Sequence, residues 1–490
     1  MDPRHIVHLE NGRLASTPRD LLRDTFRGLP AHPHGRRVVI HVHGGLVSME
    51  RGLEVAERLL PVYERARCFP IFVVWESDAR ETIVNHLSEI AGDPFFRALL
   101  RIVLRFAKAK VDAARAGSAG GLAIDDGAFE VAYAALASGD EPYASFDLDS
   151  VPSDIRLTQI EERQFRDALE KDPVLQREAA HLCAVLSRNN GAGARHALFN
   201  IDTLMTQSVL RDVGRELASR PVIPFAMPRR LVAGVVRVLY RTVKRLATGH
   251  DHGLYPTAFE EVLREFYLGT AIAGLWELMK ADTSDAFEPD GRRFGGTALV
   301  DEVDAAWAAG YRPDITLVGH SAGSLFTCRW LQQADLRLAR PVAFNVVTLA
   351  AALTFDLVDA VITAHGRRID RIRLFGLADA LERRDALVPG VYPRSLLYFV
   401  SGVLEGEADR PLVGLQRHHV AGLRHDQPAC PAVGRVLRHL AGHPGSTVWS
   451  PRNGVPGQSS AATTHGSIDD DETTLESLVH FIAEEAVARR

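Results

Sequence analysis

The sequence has little of what marks secreted, membrane-spanning or nucleic-acid-binding proteins. It contains four cysteines in 490 residues, Cys68, Cys183, Cys328 and Cys430. They lie far apart and form no C-x-x-C pair, which argues against a disulfide framework or a zinc site and favours a reducing compartment. No run of about 18 uncharged apolar residues occurs, and the N-terminus lacks the basic and apolar stretches of a signal peptide. We therefore expect a cytoplasmic location.

A large excess of charge of one sign is also absent. Fifty-seven basic residues stand against 62 acidic ones, a net charge of −5, so the composition gives no global reason to expect nucleic acid as a partner. Hydrophobic residues make up 46% of the chain. That share is ample for a large core, and the length allows two or three domains.

One short stretch carries the strongest sign of chemistry. An apolar strand pattern at residues 315–318 runs into Gly319-His320-Ser321-Ala322-Gly323, and a helical pattern of apolar residues follows at 325–331. A strand that turns into a helix through Gly-x-Ser-x-Gly is the layout of a nucleophile elbow, which exposes a serine hydroxyl at the top of a sheet. The turn predicts strained backbone angles at Ser321. The N–H of Ala322, at the start of the helix, is expected to face a developing oxyanion.

A second loop could complete that oxyanion site. Residues 38–42 form a buried-strand pattern that ends in His43-Gly44-Gly45-Leu46. Adjacent glycines after a strand leave backbone N–H groups free, so Gly45 or Leu46 is the candidate for the second donor. Two other interpretations stay open, a plain tight turn and a metal pair made by His41 and His43.

Two acids follow the strand pattern at residues 369–375. Asp379 and Asp385 are both close enough to the strand end to orient a histidine base. Asp379 ranks first because it is the nearer of the two. Either acid could instead cap a helix or be solvated.

His465 is the preferred base among the 20 histidines. It lies in a loop of small residues, after a short strand pattern at 447–450 and before a final helix at 474–488, so its ring could reach over the sheet edge toward the serine. His418 and His419 are the rivals. The three acids at 469–471 are expected to favour the N-terminus of the final helix, which is a structural role.

The patterns divide the chain into an N-terminal segment (1–36), a first α/β part (37–80), a helical insertion (81–292) and a second α/β part (293–490). The insertion has helical periodicity and few strand candidates, and it could form a cap or lid.

Three features of the insertion could bind a partner. Two of its helices carry basic stripes, Arg97, Arg101, Arg105 and Lys108 on one, and Arg230, Arg237, Arg241 and Lys244 on the other. Such stripes are more often solvated than membrane-bound, so a membrane surface is not the favoured partner. The third feature is the loop His250-Asp251-His252, which is either a metal cluster or, as we prefer, a polar entry to the next helix.

Four motifs together resemble the α/β-hydrolase fold. They are the His43-Gly44-Gly45 loop, the Ser321 elbow, an acid at Asp379 or Asp385, and His465 before the last helix, in that order. The chain is similar to lipase- and esterase-type members over residues 37–80 and 293–490, and the insertion is larger and earlier than the usual cap. The resemblance implies an α/β fold with a doubly wound, mostly parallel sheet and a large helical insertion or cap.

The resemblance also implies a serine hydrolase that cleaves a carboxylic ester. Ser321 would attack the carbonyl, His465 would take its proton, the acid would orient His465, and the N–H groups of Ala322 and of Gly45 or Leu46 would hold the oxyanion. This chemistry needs no metal and no organic cofactor, and its substrate would be a small-molecule or lipid ester.

Other functions stay open beside ester hydrolysis. The same triad could cleave an amide, a thioester or a phospholipid. A different class of function is an effector that binds a lipid or a partner, in which the insertion gates or replaces hydrolysis.

Overall fold

The computed structural model describes residues 1–45, 47–75, 79–117, 122–135, 155–189, 205–219, 227–267, 272–420 and 430–484. One eight-stranded sheet runs through it in the order β2-β1-β4-β3-β5-β6-β7-β8. The strands are β1 (Ile6–Glu10), β2 (Arg13–Leu14), β3 (Arg37–Val42), β4 (Phe69–Trp75), β5 (Asp314–His320), β6 (Phe344–Leu349), β7 (Ile369–Leu377) and β8 (Thr447–Ser450). Every neighbouring pair is parallel except the antiparallel hairpin of β1 and β2.

Helices make up most of the remainder. In chain order they are α1 (Arg19–Gly28), α2 (Met49–Arg65), α3 (Ala79–Gly92), α4 (Pro94–Arg115), α5 (Asp126–Ala135), α6 (Gln159–Lys171), α7 (Pro173–Asn189), α8 (Gln207–Ser219), α9 (Arg229–Thr248), α10 (Leu254–Phe266), α11 (Ile272–Asp285), α12 (Gly295–Ala308), α13 (Gly323–Arg337), α14 (Phe355–His365), α15 (Asp379–Glu382), α16 (Leu396–Phe399), α17 (Pro431–Ala441) and α18 (Glu472–Ala483).

The central strands are apolar along their length because helices cover the sheet. All seven residues of β4 and all six of β6 are buried, and continuous apolar runs of this kind are typical of parallel sheets covered on both faces. The flanking helices fall into two groups by their contacts. α1, α12, α13, α14 and α17 contact one another in that order, and α2 contacts α18. The prediction of an α/β fold with a mostly parallel sheet is confirmed.

The described part of the insertion between β4 and α12 is mainly helical. It contains the helices α3 to α11, joined by short loops, and no strand. Several arginines of its basic stripes pair with acids on neighbouring helices: Arg101–Glu130, Arg105–Asp126, Arg237–Glu265 and Arg241–Glu265. These pairs reduce the positive charge that the stripes could offer to an anionic surface. Among the described helices, none is both long enough and apolar enough to cross a membrane.

The N-terminal segment, residues 1–36, contributes the strands β1 and β2 to the sheet. β1 runs parallel to β4 with Ile6 opposite Phe72, so the sheet starts well before residue 37. The short, weakly alternating pattern of β1 gives no sign of this partner, because the pairing joins residues far apart in the chain.

Candidate active site

Ser321 sits at the bend between β5 and α13. Its φ is +50°, in the left-handed region that costs a non-glycine residue about 1–3 kcal/mol. Three hydrogen bonds hold this conformation. The Ser321 N–H donates to the Leu349 carbonyl (2.8 Å), and the Ser321 carbonyl accepts from the N–H groups of Ser324 (3.1 Å) and Ala352 (3.2 Å). The backbone around Ser321 therefore has the strain expected of an elbow, and the loop after β6 helps to hold it.

The two glycines of the motif let α13 pack directly against the strands. A Cβ atom at Gly323 would lie 2.4 Å from the carbonyl oxygens of both Val42 and His43, and one at Gly319 would lie 2.7 Å from the Cα of Ser324. Both contacts are with backbone atoms, which cannot rotate away. Any side chain at either position would push the helix off the sheet and move Ser321 with it.

His465 lies directly on the serine. Its Nε2 is 3.0 Å from Ser321 Oγ, and the two residues are 8% and 5% exposed. His465 begins a short 3₁₀ turn (His465–Ser467) between β8 and α18. The distance is that of a hydrogen bond between a nucleophile and its general base.

Of the two candidate acids, Asp385 is the one beside His465. Its Oδ2 accepts a 2.7 Å hydrogen bond from the backbone N–H of His465, and it lines the same cavity as Ser321. Asp379 is held elsewhere, because its Oδ1 accepts a 2.6 Å bond from the Tyr398 hydroxyl. The geometry thus reverses the order in which the sequence ranks the two acids.

The loop after β3 approaches the serine from the other side. A Cβ atom at Gly44 would lie 3.5 Å from Ser321 Cβ, and one at Gly45 would lie 2.7 Å from Ala322 Cβ. Ala322 occupies the N-cap position of α13, so its N–H lies at the positive end of a helix dipole. Leu46, the other candidate donor, lies outside the described residues.

His43 supports this loop instead of binding a metal. Its Nδ1 is 2.7 Å from the Gly44 carbonyl, its Nε2 accepts from the Trp75 N–H at 3.2 Å, and the Trp75 indole donates to its carbonyl at 3.1 Å. Burial lowers the pKa of His43 to about 4. A neutral ring with both nitrogens in use holds the backbone of Gly44 in place.

The cavity at the serine is small, and both charged and apolar side chains line it. It has a volume of about 420 Å³, and both the serine and His465 line it. The charged residues in its wall are Arg51, Arg58, Asp385, Asp469 and Asp470, and the apolar ones include Val55, Leu387 and Leu396. A larger cavity of about 850 Å³ lies between α9, α10, α11 and residues 403–408. We place the candidate site at the smaller cavity because it contains the strained serine and its histidine.

Comparisons with protein-family models, with curated proteins and with solved structures find no match.

His418 and His419, the other candidate bases, contact groups other than Ser321. His419 Nε2 lies 2.7 Å from the Val413 carbonyl, and burial lowers its pKa to about 4. His418 Nε2 lies 3.5 Å from Asp409. His41 contacts the Tyr63 hydroxyl at 2.7 Å through its Nδ1. In the described part of the chain, no group of three or more His, Cys, Asp or Glu side chains is arranged to hold a metal ion.

The His250-Asp251-His252 loop enters a buried ion cluster. His252 lies between two acids, with Nδ1 2.7 Å from Glu260 Oε1 and Nε2 3.0 Å from Asp409 Oδ1. Arg245 pairs with Glu260 at 2.7 Å and with Glu261 at 3.0 Å. We call Arg245, His252, Glu260, Glu261 and Asp409 the buried ion cluster. It joins the insertion to the segment after α16, which is a structural role.

Sequence reasoning missed two features next to the serine. It gave residues 469–471 one shared role at the final helix, but only Asp471 is the N-cap there, accepting from Thr474 N–H at 2.8 Å. Asp469 instead lines the cavity. His320, inside the motif itself, also lines it. The position of Asp469 depends on the tight turn after His465. No pattern in the sequence predicts this turn.

Proposed function

We propose that the protein is a serine hydrolase that cleaves carboxylic esters, with Ser321, His465 and Asp385 as its triad. The observation that carries this proposal is the 3.0 Å contact between Ser321 Oγ and His465 Nε2 at a backbone bend with φ of +50°. A serine hydroxyl is a weak nucleophile until an adjacent base takes its proton.

The proposed reaction has two steps. In the first, Ser321 Oγ attacks the ester carbonyl while its proton passes to His465 Nε2, and the N–H groups of Ala322 and of Gly45 or Leu46 hold the oxyanion. His465 then protonates the leaving alcohol, which leaves an acyl-enzyme. In the second step, water attacks the acyl carbon with His465 again as base, and the acid and free serine result. Asp385 would stabilise the charged imidazole and keep its orientation. This chemistry calls for no metal or organic cofactor.

The order of the triad along the sheet supports assignment to the α/β-hydrolase fold. The nucleophile follows β5, the acid follows β7 and the histidine follows β8, which is the chain order Ser-Asp-His of that fold. We further propose that the helical insertion acts as its cap. A cytoplasmic location agrees with the four free cysteines.

The volume of the cavity supports a small ester as substrate over a long lipid chain. The cavity holds about 420 Å³, which lies within the range of small-molecule sites, and the buried carboxylate of Asp469 in its wall would be costly to cover with an acyl chain. Because several arginines of the basic stripes are paired with acids, the stripes give no added support for binding to a membrane surface.

Labelling with a fluorophosphonate probe tests the proposal. The wild-type protein should label at Ser321, and Ser321→Ala should not. Assays with p-nitrophenyl esters of increasing acyl length, with phospholipid in parallel, should show faster turnover of short chains. Labelling without ester turnover would favour an amide or thioester substrate. If the wild type does not label under any condition, the protein is not a working serine hydrolase, and an effector role becomes the better explanation.

The two acids provide a second, internal test. Asp385→Asn should lower kcat by about 10²–10⁴, because the imidazole loses its orienting charge. Asp379→Asn removes a charge but keeps an oxygen that can accept from the Tyr398 hydroxyl, and it should lower kcat by less than about tenfold. Similar small losses in both variants would refute the assignment of the acid.

A further inference from the structure

Asp469 is a buried acid beside the serine that the proposed reaction does not use. It is 4% exposed and lines the cavity that holds Ser321. Its carboxylate lies 3.3 Å from Nη2 of Arg58 on α2 and 3.6 Å from Nδ1 of His320. His320 is the residue immediately before the serine. A buried carboxylate without a structural role at the helix end is a candidate for a role in the site.

His320 in turn lies against His465. The centroids of the two rings are 5.6 Å apart and their planes are inclined by 31°, and the His320 side chain is 10% exposed. Asp469, His320 and His465 thus form a row of neighbours that ends on Ser321 Oγ. The His320 ring forms a wall against which the His465 ring can rest.

Charged and titratable groups lie around His320 and His465 on several elements. They are His41 and His43 from β3 and the loop after it, Arg58 from α2, Asp385 from the segment after α15, and Asp469 and Asp470 from the segment before α18. Asp470 also pairs with Arg58, but its side chain is 47% exposed. Water therefore screens Asp470 far more than Asp469.

We propose that Asp469 is a positioning residue for His465, which acts through His320. This inference rests on the proposed function. Asp469 holds the His320 ring in place, and that ring keeps His465 over Ser321 Oγ. The negative charge of Asp469 also favours the protonated imidazole that forms when the serine attacks, because an opposite charge nearby stabilises the charged form of a base.

The rate of fluorophosphonate labelling, measured on the full chain from about pH 5 to pH 9, tests this inference. Asp469→Asn should label about tenfold more slowly than wild type, a fraction of what a general base contributes. The midpoint of the acid limb should move to lower pH by about half a unit, because the protonated base loses a nearby negative charge. A change of fold alone would not shift that midpoint in this direction.

A double-mutant cycle shows whether Asp469 acts through His320. His320→Phe keeps a ring in the wall but cannot pair with the acid, so it should also slow labelling. If the two residues act as one unit, the double variant should be no slower than the slower single variant. Glu476→Gln, at an exposed position on α18 outside the cavity wall, is the control. It also removes one negative charge from the segment that follows His465, and it should leave the rate within about twofold.

Four results would overturn the inference while Ser321 still labels. The first is a wild-type rate and pH profile in Asp469→Asn, and the second is an equal effect of Glu476→Gln. The third is multiplicative losses in the double variant. The fourth applies if Asp469→Asn fails to fold in a thermal unfolding scan, and it is a wild-type rate in His320→Phe. Absence of Ser321-dependent labelling in the wild type is a different result, because it refutes the proposed function itself.

Discussion

Replacing Glu382 with glutamine is expected to stabilise the protein at neutral and alkaline pH. Glu382 is the last residue of α15, between the two candidate acids Asp379 and Asp385, and it is 0% exposed. Within the described residues neither of its carboxylate oxygens makes a hydrogen bond of normal geometry. Burial raises the pKa of Glu382 from 4.5 to about 8, the nearby Ser395 opposes the rise, and the charges of Asp385 and Asp379 add to it.

The size and sign of the effect follow from these two pKa values. Between pH 4.5 and about 8 the folded chain keeps a proton on Glu382 that the unfolded chain has lost. The free energy of unfolding therefore falls as pH rises through this window, by about 1.4 kcal/mol for each pH unit. Glutamine has nearly the same shape and no charge to bury. Glu382→Gln should thus raise the free energy of unfolding by up to about 4 kcal/mol at pH 8 and change it little near pH 4.

Urea unfolding at a series of pH values measures this difference directly. The quantity of interest is the wild-type value subtracted from the variant value at each pH, because other titrating groups cancel in it. Glu89→Gln, an exposed position on α3, is the matched control and should stay within about 0.5 kcal/mol of wild type throughout. A difference for Glu382→Gln that does not grow with pH, or a loss of stability at pH 8, would refute the reasoning.

Two further predictions concern the backbone of the elbow and the buried ion cluster. Gly323→Ala should lower the free energy of unfolding by about 1–3 kcal/mol and should also slow fluorophosphonate labelling. The reason is that the added Cβ atom would lie 2.4 Å from two backbone oxygens, one on β3 and one in the loop that follows it. A wild-type labelling rate in this variant would contradict the prediction. Although burial opposes it, His252 and Arg245 hold the pKa of Glu260 at about 2, below its usual 4.5. The free energy of unfolding should therefore fall as pH falls from about 4.5 to 2. In Glu260→Gln, unfolding followed by circular dichroism should show a free energy of unfolding lower by about 3–5 kcal/mol at pH 7 and a weaker dependence on pH between about 4.5 and 2. An unchanged dependence on pH in this range would contradict the role given to Glu260.

The features that the sequence predicts well are those set by local pattern. The strand before Ser321, the turn through Gly319 and Gly323, and the helix after it all lie within about 20 residues, where apolar spacing and glycine placement determine the chain path. His465 could be singled out because a loop between the last strand and the last helix must lie at the carboxyl edge of the sheet.

The features that the sequence predicts poorly depend on contacts between distant segments. Asp379 and Asp385 both follow β7, and the choice between them depends on the Tyr398 hydroxyl, which holds Asp379 at 2.6 Å. The place of β1 beside β4 depends on a pairing that a weak alternating pattern cannot specify. Asp469 faces the cavity because the turn that starts at His465 directs it there. The sequence alone cannot distinguish it from the other two aspartates at 469–471, because the three are identical and adjacent.

The buried ion cluster also limits how the insertion could act as a lid. α10 is buried at nearly every position, and the cluster connects it and the loop before it to Asp409 of the second α/β part through the 3.0 Å contact with His252. Removing one partner from a buried ion pair costs about 3–5 kcal/mol, and moving α10 away from the second α/β part would separate the contact with Asp409 and expose the remaining charges of the cluster. Movement of the whole insertion away from the second α/β part would therefore cost several kcal/mol before any substrate contact is made.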